Sequence, residues 1–333
     1  MDLPGFRSLV RGVSNHGGRP ILRDGRHAMI ASRESACACA LLRMRRINSY
    51  RLSSRFIFSE TRFRLAVVLL SGVAFVAEAQ AQRVDLVDRT ALRVCADPAN
   101  LPFSNDKGEG FENKIADIVA GELKLPVEYT WFPQATGFIR QTLFAKRCDV
   151  VLGYAQGDDL VLNTNHYYRS TYALVHRKDG ALDGISGLSD PRLQGKHIGV
   201  IAGTPPATTM AQLGLIQNAR PYPLMVDRRY DSPGERMIAD IQSGEIEAGV
   251  LWGPIAGYFA PKAGLAVVPL LKDEGAARMA YRITFGVRPL EDDWKRQLNA
   301  LIARRQGDLD AVLLQFGVPL LDEQNRLITR PRK

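Results

Sequence analysis

The chain has 333 residues, 46% of them hydrophobic and 24% charged, with 44 Lys+Arg against 35 Asp+Glu and a formal net charge of +9. The first 81 residues hold 13 of the basic and 5 of the acidic groups, so the remaining 252 carry 31 against 30. The excess that would point to nucleic acid therefore lies in one terminal segment, and the rest of the chain is nearly neutral and long enough to bury a sizeable core.

The first readable feature is Leu65–Ala77 (LAVVLLSGVAFVA), an uncharged apolar run behind Arg62 and Arg64 and ahead of Ala79-Gln80-Ala81. A basic flank, a short apolar core and an A-x-A site describe an export signal, so residues 1–81 are expected to be a leader with cleavage after Ala81. Thirteen apolar residues are too few to span a bilayer, which takes about 20. Beyond the leader the longest charge-free apolar stretch, Ala248–Pro261, is interrupted by Gly253, Pro254 and Gly257. The expected product is an exported monomer with no membrane span.

From Leu92 onward short apolar runs alternate with amphipathic stretches. Strands are predicted over 92–96, 126–132 and 148–153, with helices over 111–124 and 136–146 between them. Ile115, Ile118, Val119 and Leu123 recur at helical spacing and supply a sheet-covering face. A strand over 168–177 runs into Lys178-Asp179-Gly180, whose composition suits a crossing between two halves. A second α/β set follows, with strands over 197–201, 222–226, 246–252 and 266–270 and helices over 206–213, 233–243 and 254–260. A strand over 281–287 and helices over 291–305 and 308–316 then return to the first half. The expected organisation is α/β with two lobes, each a mostly parallel sheet flanked by helices. Lobe one takes 90–178 and 281–333, lobe two takes 182–278, and two hinge crossings border a cleft.

Ligands of parallel sheets gather at the carboxyl ends of the strands. Asp97 and Gly153 stand at two such ends, with Phe103 and Tyr154 just beyond, Tyr168 and Arg169 near the crossing, and Trp252 at the end of a lobe-two strand. A cleft lined this way suits an apolar or aromatic guest with few charges. Thr204 precedes a proline-opened helix after Gly203, which fits either an anion contact or an ordinary N-cap. His166, His176 and His197 are not at metal-ligand spacing, and neither G-x-S-x-G nor H-E-x-x-H occurs. No metal and no cofactor is expected.

Once the leader is gone the cysteines reduce to Cys95 and Cys148. Export favours a disulfide. If Asp97 and Gly153 end neighbouring strands at one level, however, the two thiols are offset by three residues, roughly 10 Å at strand rise, which is beyond bridging distance. A bridge and two separate buried thiols both stay open.

The segments CADPANLPFSN (95–105), GEGFENKIADIVAGEL (108–123), RCDVVLG (147–153), YYRSTYALVHR (167–177) and LWGPIAGYF (251–259) resemble type II periplasmic solute-binding proteins, specifically the methanol-dehydrogenase-associated group called MoxJ and XoxJ. The resemblance covers about Leu92 to Phe316. It implies a bilobal binding-protein fold in the periplasm and a non-enzymatic accessory role toward a quinoprotein methanol dehydrogenase and its cytochrome c, with metal and quinone belonging to that partner. Amino-acid binders of the same fold carry Thr-x-x-Arg after the third strand. Here the segment is Ala155-Gln156-Gly157-Asp158, with Gly157 in place of the arginine. Their lobe-two aspartate for the ligand ammonium corresponds to Trp252, so a zwitterion is expected to bind poorly unless Arg169 compensates. The same fold also serves importers of small solutes, and hosts a periplasmic cyclohexadienyl dehydratase, for which Asp97 is the nominated acid.

Overall fold

The computed structural model describes residues 86–272 and 277–332. The leader, its apolar core and the Ala81 cleavage site lie outside the described residues. Lobe one opens with β1 (Leu92–Ala96), the short β2 (Ala99–Asn100) and β3 (Ser104–Asn105), α1 (Phe111–Leu123), β4 (Val127–Trp131), α2 (Phe138–Gln141) and β5 (Val150–Ala155). The long β6 (Leu162–Arg177) follows. Next come β7 (Ile198–Ile201), α3 (Pro205–Gln212), β8 (Arg220–Tyr222), α4 (Pro233–Ser243), β9 (Ala248–Trp252), α5 (Gly253–Phe259) and β10 (Leu265–Pro269). The chain returns through β11 (Ala280–Val287) and α6 (Asp292–Gln315).

Nine strands run in the order β4-β1-β5-β11-β6-β9-β7-β8, with β10 also on β6. The β4-β1-β5 and β9-β7-β8 sets are parallel, and β11 and β6 join them, β11 antiparallel to both β5 and β6 and β6 antiparallel to β9. The crossing lies inside β6 rather than at 178–180. Residues up to Thr171 pair with β11, and those from Tyr172 pair with β9. A continuous strand keeps its backbone groups paired through the crossing, which a loop at 178–180 would leave to water.

Side-chain alternation sorts β1 between two cores. Leu92, Val94 and Ala96 join Phe111, Ile115 and Val119 of α1. Cys95 faces the other way, with Phe138, Leu143 and Cys148. The register places Cys95 beside Val151, so the three-residue offset of Cys148 is present. The two cysteines are nonetheless bonded, with Cα atoms 5.4 Å apart. β5 begins only at Val150, and the chain before it leaves the extended path on which the 10 Å separation depended.

Four elements differ from the sequence expectation. The helix over 136–146 contracts to the four residues of α2, and the strand expected over 222–226 is β8, ending at Tyr222. β6 starts at Leu162, because β11 extends the pairing that far. The two helices over 291–305 and 308–316 are one, since Trp294, Leu298, Leu301, Ile302, Leu309 and Leu313 form a single buried stripe. Gly307 stays helical within it, and a Cβ there would stand 2.7 Å from the Arg332 carbonyl oxygen. Tail and helix are held by Arg332, whose Nη2 lies 2.6 Å from Oδ1 of the fully buried Asp310.

The halves also touch beside the crossing. A Cβ on Gly257 of α5 would sit 1.9 Å from the Gly317 carbonyl oxygen, and Tyr258 stacks on Phe316 at 5.6 Å. Among the described residues no helix is long and apolar enough to cross a membrane.

Candidate functional site

A cavity of about 460 Å³ opens where β5, β6, β9 and β11 converge. Its walls are mostly aromatic. Phe103, in the turn between β2 and β3, lies 5.3 Å from Phe111 at the start of α1, and Tyr168 of β6 is almost wholly buried. Tyr172, directly opposite Trp252 in the β6–β9 pair, meets it edge-on at 5.2 Å, and Tyr281 of β11 stands 6.1 Å from Trp252. Ile255 and Ile283 complete the apolar wall, and Leu224 and Met225 line it from the loop after β8.

Four of the residues nominated from sequence line this cavity: Phe103, Gly153, Tyr168 and Trp252. The other four do not, each for a visible reason. Asp97 is 1% exposed, and its carboxylate accepts hydrogen bonds from the backbone N–H groups of Ala99 at 2.9 Å and Gln134 at 2.6 Å. It holds the loop after β1 and is not available as the acid of an elimination. Tyr154 follows Gly153 in a strand and so faces the opposite side, packing on the Cys95–Cys148 core and donating its hydroxyl to Asp158 at 2.9 Å. Arg169 alternates away from Tyr168 in the same manner. Its guanidinium donates to the Asp322 carbonyl and to Asn325 Oδ1, so it is committed to the C-terminal tail and does not replace the missing carboxylate clamp. Thr204 turns its hydroxyl onto the Ile201 carbonyl at 2.6 Å, closing its own turn.

The sequence reading missed the polar part of the cavity. Glu112, in the first turn of α1, is 8% exposed and lines it, and among the described residues its carboxyl has no hydrogen-bond partner. Gly153 provides the room: a Cβ there would lie 2.1 Å from Glu112 Oε1. Burial, helped by the nearby Asp97 charge, pushes the Glu112 carboxyl up to about 8. The helix N-terminus favours the ionised form by only about 0.3–1 kcal/mol, so burial wins and the group is mostly neutral at pH 7. Asn100 donates its Nδ2 to Gln134 at 2.8 Å, but its Oδ1 is buried without a partner among the described residues. Arg228 enters from the loop between β8 and α4, half-buried and with no ion pair or hydrogen bond among the described residues. Burial pulls its guanidinium down while Asp97, Asp231 and Glu235 oppose this, and an arginine stays charged through such shifts.

Glu112 had a sequence signal. Together with Ile115, Ala116 and Val119 it falls at i, i+3, i+4 and i+7, which puts a carboxyl on the buried stripe of α1. Arg228 had none, because a loop arginine in a polar run reads as surface.

No protein-family model matches the sequence. The MoxJ protein of Methylorubrum extorquens is 30% identical over 287 residues, covering 78% of this chain and 95% of that protein. The chain belongs to the MoxJ family. MoxJ of Paracoccus denitrificans is 26% identical over 251 residues, 71% of this chain and 91% of the relative. The crystal structure of the periplasmic binding protein XoxJ from Methylobacterium extorquens is 43% identical, with a TM-score of 0.60 over 70% of this chain and all of that one. The fold of this MoxJ-family chain is thus the two-lobed type II periplasmic binding-protein fold, and the cavity sits between its two parallel strand sets.

Proposed function

We propose that the protein is a periplasmic, non-enzymatic accessory of a quinoprotein methanol or alcohol dehydrogenase, assisting its maturation or activation. The observation that carries this reading is a binding-protein cleft without the contacts that hold a zwitterion. Ala155 lines the cavity at the start of the segment where the carboxylate clamp would stand. Asp158 is occupied with Tyr154. Trp252 fills the place of the ammonium partner. Losing the guanidinium from its place after the third strand and the ion-pair partner of the ammonium weakens the grip on a zwitterion, which disfavours ordinary amino-acid uptake. Membership of the MoxJ family supports the dehydrogenase as partner, with its cytochrome c as a second, and supports export to the periplasm.

The test is co-elution of the purified protein with apo-dehydrogenase, followed by the rise of dehydrogenase activity on adding quinone and metal. Complex formation with faster or fuller activation supports the reading. Failure of the dehydrogenase to co-elute, with a polar metabolite co-purifying instead, replaces it with that of a solute-binding importer component.

A further inference from the structure

The accessory reading leaves three polar groups unexplained, and all three face one cavity. The Glu112 carboxyl and Asn100 Oδ1 belong to residues more than nine-tenths buried, and neither has a partner among the described residues. An unmade hydrogen bond at a buried polar atom costs about 1–3 kcal/mol, and both residues line the same cavity, where the polar atoms of a guest would satisfy them. The third group is the Arg228 guanidinium. Asp97, Asp231 and Glu235 attract it, yet none is at ion-pair distance among the described residues.

The chemistry of these groups defines the guest. Arg228 offers planar, charged donors, which match a carboxylate. Glu112 is mostly neutral at neutral pH and so does not repel an anion, and its carboxyl both donates and accepts. Asn100 Oδ1 only accepts, so it calls for a donor such as a hydroxyl. Between them Tyr168, Tyr172, Trp252 and Tyr281 present ring faces and edges suited to a flat body. The cavity of about 460 Å³ falls within the roughly 300–1,000 Å³ usual for small-molecule sites. Among the residues lining the cavity no ionised carboxylate faces Trp252 to hold an ammonium.

We propose that the cleft is a binding site for a small hydroxyaryl monocarboxylate without an α-ammonium group, its carboxylate on Arg228 and its hydroxyl between Glu112 and Asn100. This stands apart from the accessory reading. A protein that engages the dehydrogenase with an idle cleft passes that test and fails this one.

Calorimetric titration of the purified protein with para-hydroxyphenylacetate, its amide and tyrosine decides the matter. The acid is expected to bind one to one, and the amide and tyrosine at least tenfold more weakly. Because the acid–amide comparison is made on the unaltered protein, it does not depend on any variant folding. Arg228→Met is expected to bring the acid down to the affinity of the amide, while Glu112→Leu weakens acid and amide alike. No saturable heat with the acid up to about millimolar concentration overturns the proposal. So does undiminished acid binding by Arg228→Met, or tighter binding of tyrosine than of the acid.

Discussion

Two of the buried carboxyl groups of lobe one are built on opposite terms. At the brace beneath β1 and β5, Asp149 is 1% exposed and accepts from Arg93 Nε and Nη2 at 2.8 Å, Arg288 Nη2 at 2.6 Å and the Asp88 backbone N–H at 3.1 Å. Arg288 also donates to the Cys148 carbonyl and to Glu291. At the cleft floor, Glu112 is buried almost as deeply and has nothing of the kind. A buried carboxylate surrounded by donors fixes the lobe, whereas a buried carboxyl left without them gives up its charge and stays open to a guest.

The comparison breaks most visibly at the brace. Asp149→Ala leaves two arginines against an uncompensated gap and is expected to lose about 3–5 kcal/mol in denaturant unfolding. A loss below about 1 kcal/mol, the range of an exposed pair, shows that the network is ornamental. Next to it, the Cys95–Cys148 bridge closes a span of 53 residues. The chain-entropy relation gives it about 4 kcal/mol, so a Cys95→Ala, Cys148→Ala double variant should melt well below the oxidised protein, and reductant should shift only the latter.

At the cleft the sign reverses. Glu112 has a folded pKa of about 8, above its ordinary 4.5. As pH rises between those values the unfolded state loses a proton that the native state keeps, so stability falls by about 1.4 kcal/mol per pH unit. Glu112→Gln removes that slope. From about pH 6 to about pH 8 the variant should gain about 2 kcal/mol on the native protein, the slope flattening as the native carboxyl itself ionises near pH 8, and parallel stability curves contradict the unsatisfied burial. The smallest effect separates the cleft from its surroundings. Arg169→Ala frees the tail at Asp322 and Asn325, costing about 1 kcal/mol, and leaves any cleft ligand's affinity unchanged.

How far the sequence reached depended on which physical rule applied. Strand and helix periods located β1, α1, β9 and β11 closely, because apolar alternation and helical spacing are written residue by residue. The rule that ligands gather at strand ends misdirected Tyr154 and Arg169. Each was nominated for standing near a strand end, yet strand alternation turned it to the opposite side from Gly153 or Tyr168. The helix expected to break before residue 308 ran on, since no local rule anticipates the Arg332 backbone lying over Gly307.

What the sequence determined by itself was the α/β alternation, the two-lobed plan implied by its resemblance, and an aromatic cleft carrying Phe103, Tyr168 and Trp252. Tertiary structure alone decided that Asp97 serves the backbone and that Cys148 leaves its strand's path to reach Cys95. It also decided that Arg228, from a loop with no pattern of its own, meets Glu112 and Asn100 at one cavity. Periodicity encodes which face of an element is buried, but whether a buried polar atom finds a partner depends on residues far away in the chain, and only the folded packing brings those together.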